Sequence, residues 1–283
     1  MSESIFELFQ YNFFTNALMA ALLASVTCGI AGTYIVTRRM VFISGGITHA
    51  SFGGIGIAYF LGLNPVLGAA VFSILSAMGI EFVSSRTNVR EDSAIGILWS
   101  LGMALGIIFI FLTPGYAPNL MSYLFGSILT VGPTDLWLMA ALGLFLAVFF
   151  TGFYHMILFI AFDEAYARAH KAPVQLFKYL LISLVAITIV LNIRVVGIIL
   201  VISFLTIPQS TANLFTNNFR YIIFLSILIG IIGSVTGLMI SYYWNIPSGA
   251  TIIFTFVLIF GIAKAIQSLM IKSDIRRQIE GKK

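Results

Sequence analysis

Residues 221–263 read YIIFLSILIGIIGSVTGLMISYYWNIPSGATIIFTFVLIFGIA, more than forty residues without Asp, Glu, Lys or Arg. A helix needs about 20 apolar residues to cross the hydrocarbon core of a bilayer, so this run holds two crossings. Asn245-Ile246-Pro247-Ser248-Gly249 divides them, since proline lacks the N–H a helix needs and Asn and Gly favour turns. Working outward, further charge-free runs cover residues 8–37, 40–80, 93–134, 136–162 and 195–219. Only 9% of the 283 residues are charged and 60% are hydrophobic, whereas a soluble globular domain carries about 25% charged residues. A water-facing surface cannot be built from that supply. The chain is predicted to be an all-α polytopic membrane protein forming a single transmembrane domain over 1–283.

Nine spans are expected, at about 13–36, 41–61, 66–84, 94–112, 135–160, 176–193, 195–216, 221–243 and 249–270. Eight is the alternative, because only a tight turn near Asn192-Ile193-Arg194 separates the sixth from the seventh. Lys and Arg collect in cytoplasmic loops. With nine spans, an outer N-terminus and a cytoplasmic C-terminus, every Lys and Arg except Arg194 falls on the inner side. The net charge of +5 is thus topological and does not imply nucleic acid. The single cysteine, Cys28, excludes an internal disulfide framework and any multi-cysteine metal site. Met1–Gln10 holds Glu3 and Glu7 but no base, so the first apolar segment is expected to stay as a span rather than act as a cleaved leader.

Two segments are not simple crossings. Residues 113–133 hold three prolines and no charge before Asp135, which predicts a short surface or re-entrant helix at about 120–129. Residues 162–173, FDEAYARAHKAP, read as a separate short helix with acids first and bases last. Asp163 or Glu164 suits the positive helix start, Lys171 the end, and Glu164 can pair with Arg168 one turn on. Such a self-stabilised helix on the inner face is a docking feature.

In the second span Gly45, His49, Gly53 and Gly56 share one helical face. Small residues there let a helix or a passing ligand come close. His49 lies about 15 Å from Arg39, near mid-membrane, where an imidazole either binds a metal or proton or hydrogen-bonds between packed helices. The seventh span carries Ser203, Thr206, Pro208, Gln209, Ser210, Thr211 and Asn213. These polar groups either line a hydrated path, with Ser203, Thr206 and Gln209 as candidates, or join helices. Glu81, His155 and Asp135 are expected simply to reach the interface, and His170 to be solvated. No GxxxxGK[ST], HExxH or GxSxG occurs, so ATP hydrolysis by a phosphate-binding loop and the two hydrolase chemistries are unsupported.

Four stretches together resemble the permease subunits of the bacterial ATP-binding-cassette importers for zinc, manganese and iron: FISGGITHASFGGIGIAYFLG from Phe42, Glu91 to Ile97, Phe162 to Ala167, and Val196 to Ala212. The likeness spans about residues 10–270. It implies a type II importer-like permease in the bacterial cytoplasmic membrane, a homodimer with the pathway between protomers, and no permanently bound cofactor. Two ATPase subunits would hold the ATP and dock on a coupling helix at about 162–173, through Phe162, Asp163, Glu164, Ala167, Arg168 and Lys171. An extracytoplasmic binding protein would deliver a divalent metal, with His49 and Gly53 on its path. Two positions depart from the family pattern. Gly45 stands where the family has its metal-gate Asp, and Lys171 stands where the coupling helix usually ends in Gly. A channel or secondary transporter independent of any ATPase is the alternative, but only His49 offers it a mid-membrane titratable group.

Overall fold

The computed structural model describes residues 10–114 and 128–280, with side-chain detail ending at residue 272. The helix expected at about 120–129 lies almost wholly outside the described residues. Besides a 3-10 turn at Ile128–Thr130, eleven α-helices run through the described residues: α1 (Asn12–Thr37), α2 (Val41–Phe60), α3 (Pro65–Arg86), α4 (Glu91–Leu112), α5 (Pro133–Gly152), α6 (Tyr154–Phe162), α7 (Glu164–Ala169), α8 (Val174–Val196), α9 (Ile198–Ala212), α10 (Phe219–Trp244) and α11 (Ser248–Glu280). Eight of these are long and apolar enough to cross a membrane, and α9 is a shorter apolar helix at the expected seventh span.

Helix α1 forms the axis. Ala17, Ala20, Ala21, Ala24 and Cys28 are buried completely, and α5, α8, α9 and α10 pack around them. Lipid supplies no hydrophobic drive between helices, so close approach through small residues replaces it. The same device builds a second unit from α2, α3 and α4. A methyl on Gly53 or Gly56 would meet the backbone of Gly102 or Gly106 in α4, and one on Gly54 would overlap the Gly68 carbonyl in α3.

Three boundaries differ from expectation. No turn forms at Asn192–Arg194: α8 continues to Val196 and the chain turns at Gly197, whose φ of 83° is the left-handed region open to glycine. Asn192 is held inside the helix by its amide, which donates to Thr27 Oγ1 of α1 at 3.1 Å. The single span expected at 135–160 is two helices, α5 and α6, meeting at Phe153. The segment expected at 195–216 is helical only over Ile198–Ala212, about 22 Å long. The helix is packed against α1, α10 and α11, so protein rather than lipid supplies most of its surroundings.

Within α9, Pro208 cannot donate to the Phe204 carbonyl one turn back. Gln209 Nε2 donates to that oxygen at 2.9 Å and also to the Cys28 carbonyl of α1 at 2.8 Å. One side chain thus closes the gap left by the proline and ties α9 to the axis.

Candidate functional site

The candidate site around His49 is built from α2 and α4. His49 and Trp99 lie equally far into their helices, about 12 Å from the starts at Val41 and Glu91. Contact between the Gly53 and Gly102 backbones holds the two helices close enough for their rings to stack, with centroids 4.3 Å apart and planes within 5°. A methyl on Gly45 would sit 3.8 Å from the same indole, so there is ordinary room for a side chain there. Trp99 is 37% exposed, which places the stack on a lateral face of the chain. The Nδ1 atom of His49 is buried without a hydrogen-bond partner. Among the described residues, no group of three His, Cys, Asp or Glu side chains could hold a metal ion. His49 therefore stands as a single candidate donor rather than as part of such a group.

The other candidates sit apart from this stack. Gly53 is closed off by Gly102 of α4 and the Phe72 ring of α3. Gln209 is fully buried in the α1–α9 contact, and Ser203 Oγ donates to the Ile199 carbonyl at 3.2 Å. The Thr206 hydroxyl is buried and unpartnered.

At the bundle end that carries most of the bases, α7 occurs where the charge order predicts a helix. Asp163 caps it, with Oδ1 accepting from the Tyr166 N–H at 2.8 Å, and Ala167 is buried against Ile160, Val174 and Phe177. Phe162 and Tyr166 stay exposed, a face available to a partner. Two residues past the end of α7, Lys171 has a φ of 57°, in the left-handed region. For a residue other than glycine that backbone costs roughly 1–2 kcal/mol. Arg168 Nη2 donates to Glu164 Oε1 at 2.5 Å, the expected one-turn pair.

Sequence reasoning missed what surrounds that pair. Glu81 does not reach the interface; it is 5% exposed, and its Oε1 lies 2.6 Å from Lys178 Nζ as a close ion pair rather than an aligned hydrogen bond. Lys178 also lies 3.5 Å from Glu164 Oε2, and Arg38 lies 3.9 Å from the same oxygen. The signal was single charges on separate apolar helices at matching depth, where a buried charge needs a partner. Partial burial works to raise the Glu164 carboxyl pKa, but the Arg168 hydrogen bond and the charges of Lys178, Arg168 and Arg38 outweigh it and hold the group below its ordinary value. Its ion pairs therefore persist at neutral pH and are lost only as the pH falls through that lowered value. At the opposite end, Asp135 is paired with Arg194, its Oδ1 2.7 Å from Nε. His155 stacks edge-on against Tyr154, and exposed His170 packs on Tyr166.

Residues 10–267 match the ABC 3 transport family. An uncharacterized membrane protein of Synechocystis sp. is 42% identical over 253 residues, covering 89% of this chain and 90% of that protein. The manganese transport system membrane protein MntC of Halalkalibacterium halodurans is 36% identical over 257 residues, covering 91% of this chain and 88% of that protein. Among solved structures, a chain of PsaBC from Streptococcus pneumoniae, in complex with Fab, superposes with a TM-score of 0.81 at 34% identity, covering 92% of this chain and 93% of that one.

Proposed function

This chain belongs to the ABC 3 transport family, a permease subunit rather than an enzyme, and from that premise we propose that it imports a divalent transition metal ion into a bacterial cytoplasm. Manganese is the ion named for the MntC relative. An imidazole donor suits zinc and iron, whereas manganese favours oxygen ligands such as carboxylate and water. Two copies would meet across the lateral face that bears the His49–Trp99 stack, so that each contributes an imidazole to a pathway between them. The bias of Lys and Arg toward cytoplasmic loops supports a cytoplasmic C-terminus and α7 and an outer N-terminus.

The observation that carries the reading is α7, a capped helix with an exposed aromatic face, anchored by ion pairs to the inner ends of the spans. It serves as the coupling helix for two separate ATPase subunits, which bind and hydrolyse ATP. An extracytoplasmic binding protein delivers the ion. Closure of the ATPases would move α7 as a lever and alternate access past His49. Ser203, Thr206, Gln209 and Gly53 would border the path only in an open state in which their present packing contacts part.

Asp163→Ala removes the cap of a helix too short to form alone, and such a loss costs about 1 kcal/mol. Ala167→Asp puts a charge at the buried contact of the same helix. Both variants are expected to loosen α7 locally while the spanning helices still insert and pack, and ATP hydrolysis is expected to uncouple from metal uptake in vesicles. Undiminished uptake in both would contradict the docking role.

A further inference from the structure

The charges beneath α7 form an alternating series. Glu164 uses Oε1 for Arg168 within its own helix and Oε2 for Arg38, at the end of α1, and Lys178, near the start of α8. Lys178 continues to Glu81, near the end of α3. Arg38 also donates to the Ile160 carbonyl of α6 at 3.4 Å. The side chains of Arg38, Lys178 and Glu81 are at most 16% exposed, so these contacts are poorly screened and have little slack. Beyond Glu81, α3 lies against α2 with the Gly68 and Gly54 backbones in contact, and α2 carries His49.

We propose that Arg38, Glu164, Lys178 and Glu81 form an ionic linkage that transmits displacement of α7 to α1, α8 and α3, and through α3 to the helix bearing His49. These are positioning residues: none touches the transported ion. The proposal rests on the reading of α7 as the coupling helix. A purely anchoring role would show itself as lost folding or lost ATPase binding. A transmitting role leaves both in place and lowers the metal moved per ATP hydrolysed. The inner pair of the linkage is the place to separate them, because Glu81 and Lys178 lie on the far side of Glu164 from the exposed face of α7.

The experiment uses the complete transporter in lipid nanodiscs and proteoliposomes, comparing wild type, Glu81→Gln, Lys178→Met and the exchanged pair Glu81→Lys with Lys178→Glu. Bound ATPase subunit, ATP hydrolysis and radioactive manganese uptake are each measured. The single variants are expected to keep ATPase binding and hydrolysis within about two-fold while uptake per ATP falls about ten-fold, a typical size for coupling between sites. The exchanged pair is expected to stay as low as the single variants, since it re-forms the 81–178 pair but turns the Lys178–Glu164 contact into a repulsion between two carboxylates. Arg38→Gln, at a longer contact, provides a gentler break if a single variant fails to fold, and it should lower uptake per ATP in the same direction. Uptake per ATP unchanged in all variants, or uptake falling only in proportion to hydrolysis, would overturn the linkage. Failure of wild type to bind an ATPase would instead overturn the coupling-helix reading, and the linkage with it.

Discussion

His49→Ala is expected to abolish ATP-driven metal uptake while leaving the protein folded. His49 is the one imidazole in α2, and its Nδ1 is buried without a hydrogen-bond partner among the described residues. Even residues that merely support a metal ligand cost about 10–100-fold when removed, so loss of a donor itself should reach at least roughly the upper figure. The structural cost is small by comparison. Removing the ring forfeits its stack on Trp99, worth about 0.5–1.5 kcal/mol for an aromatic pair. The two effects are separated by measuring metal uptake alongside the melting temperature in detergent. Uptake within about two-fold of wild type, against the roughly 100-fold loss expected here, would reduce His49 to a packing residue.

The second large effect is structural. Gly54→Leu should prevent α2 and α3 from closing, because the first carbon of any side chain would overlap the Gly68 carbonyl and crowd Phe72. The obstacle is backbone, which cannot swing aside as a side-chain tip can. Overpacking usually costs about 1–3 kcal/mol, and a forced separation of two helix backbones should exceed that range. The separation would also loosen the neighbouring contacts of Gly53 and Gly56 with α4, and with them the His49–Trp99 stack. A sharply lowered yield of monodisperse protein is the expected result. Gly261→Leu, at a glycine with open space around it, should behave as wild type. If the two variants melt alike, helix closure does not depend on the Gly54–Gly68 contact.

The helices were largely legible in the sequence because an apolar run between charges is a local property. The helix at α7 was legible for the same reason: its cap, its one-turn ion pair and its charge order lie within a few neighbouring residues. What the sequence did not disclose depends on residues far apart along the chain. Glu81 and Lys178 each read as an end-of-span charge, and only the packing of α3 against α8 turns them into a buried pair. The polar residues of the seventh segment hinted at a hydrated path, yet Gln209 is occupied with the carbonyl that Pro208 leaves free, a need created by the proline and met by the very next side chain. Helix α8 outran its expected turn because Asn192 found Thr27 in α1. Trp99 was passed over as one aromatic among many. Its significance lies in register, since it stands at the depth of His49 on a helix brought close by facing glycines. Lys171 marks a local departure of another kind: the resemblance puts a glycine there, and the left-handed backbone explains why glycine would suit it.

The central claim is that this chain moves a divalent metal only when an ATPase works on α7. Its most direct test is uptake of manganese, zinc and ferrous iron into proteoliposomes holding the chain with its ATPase and binding protein, with and without ATP. The account predicts accumulation of one of these ions that requires both ATP and the ATPase subunit. Accumulation by the chain alone, driven by an ion gradient, would contradict it.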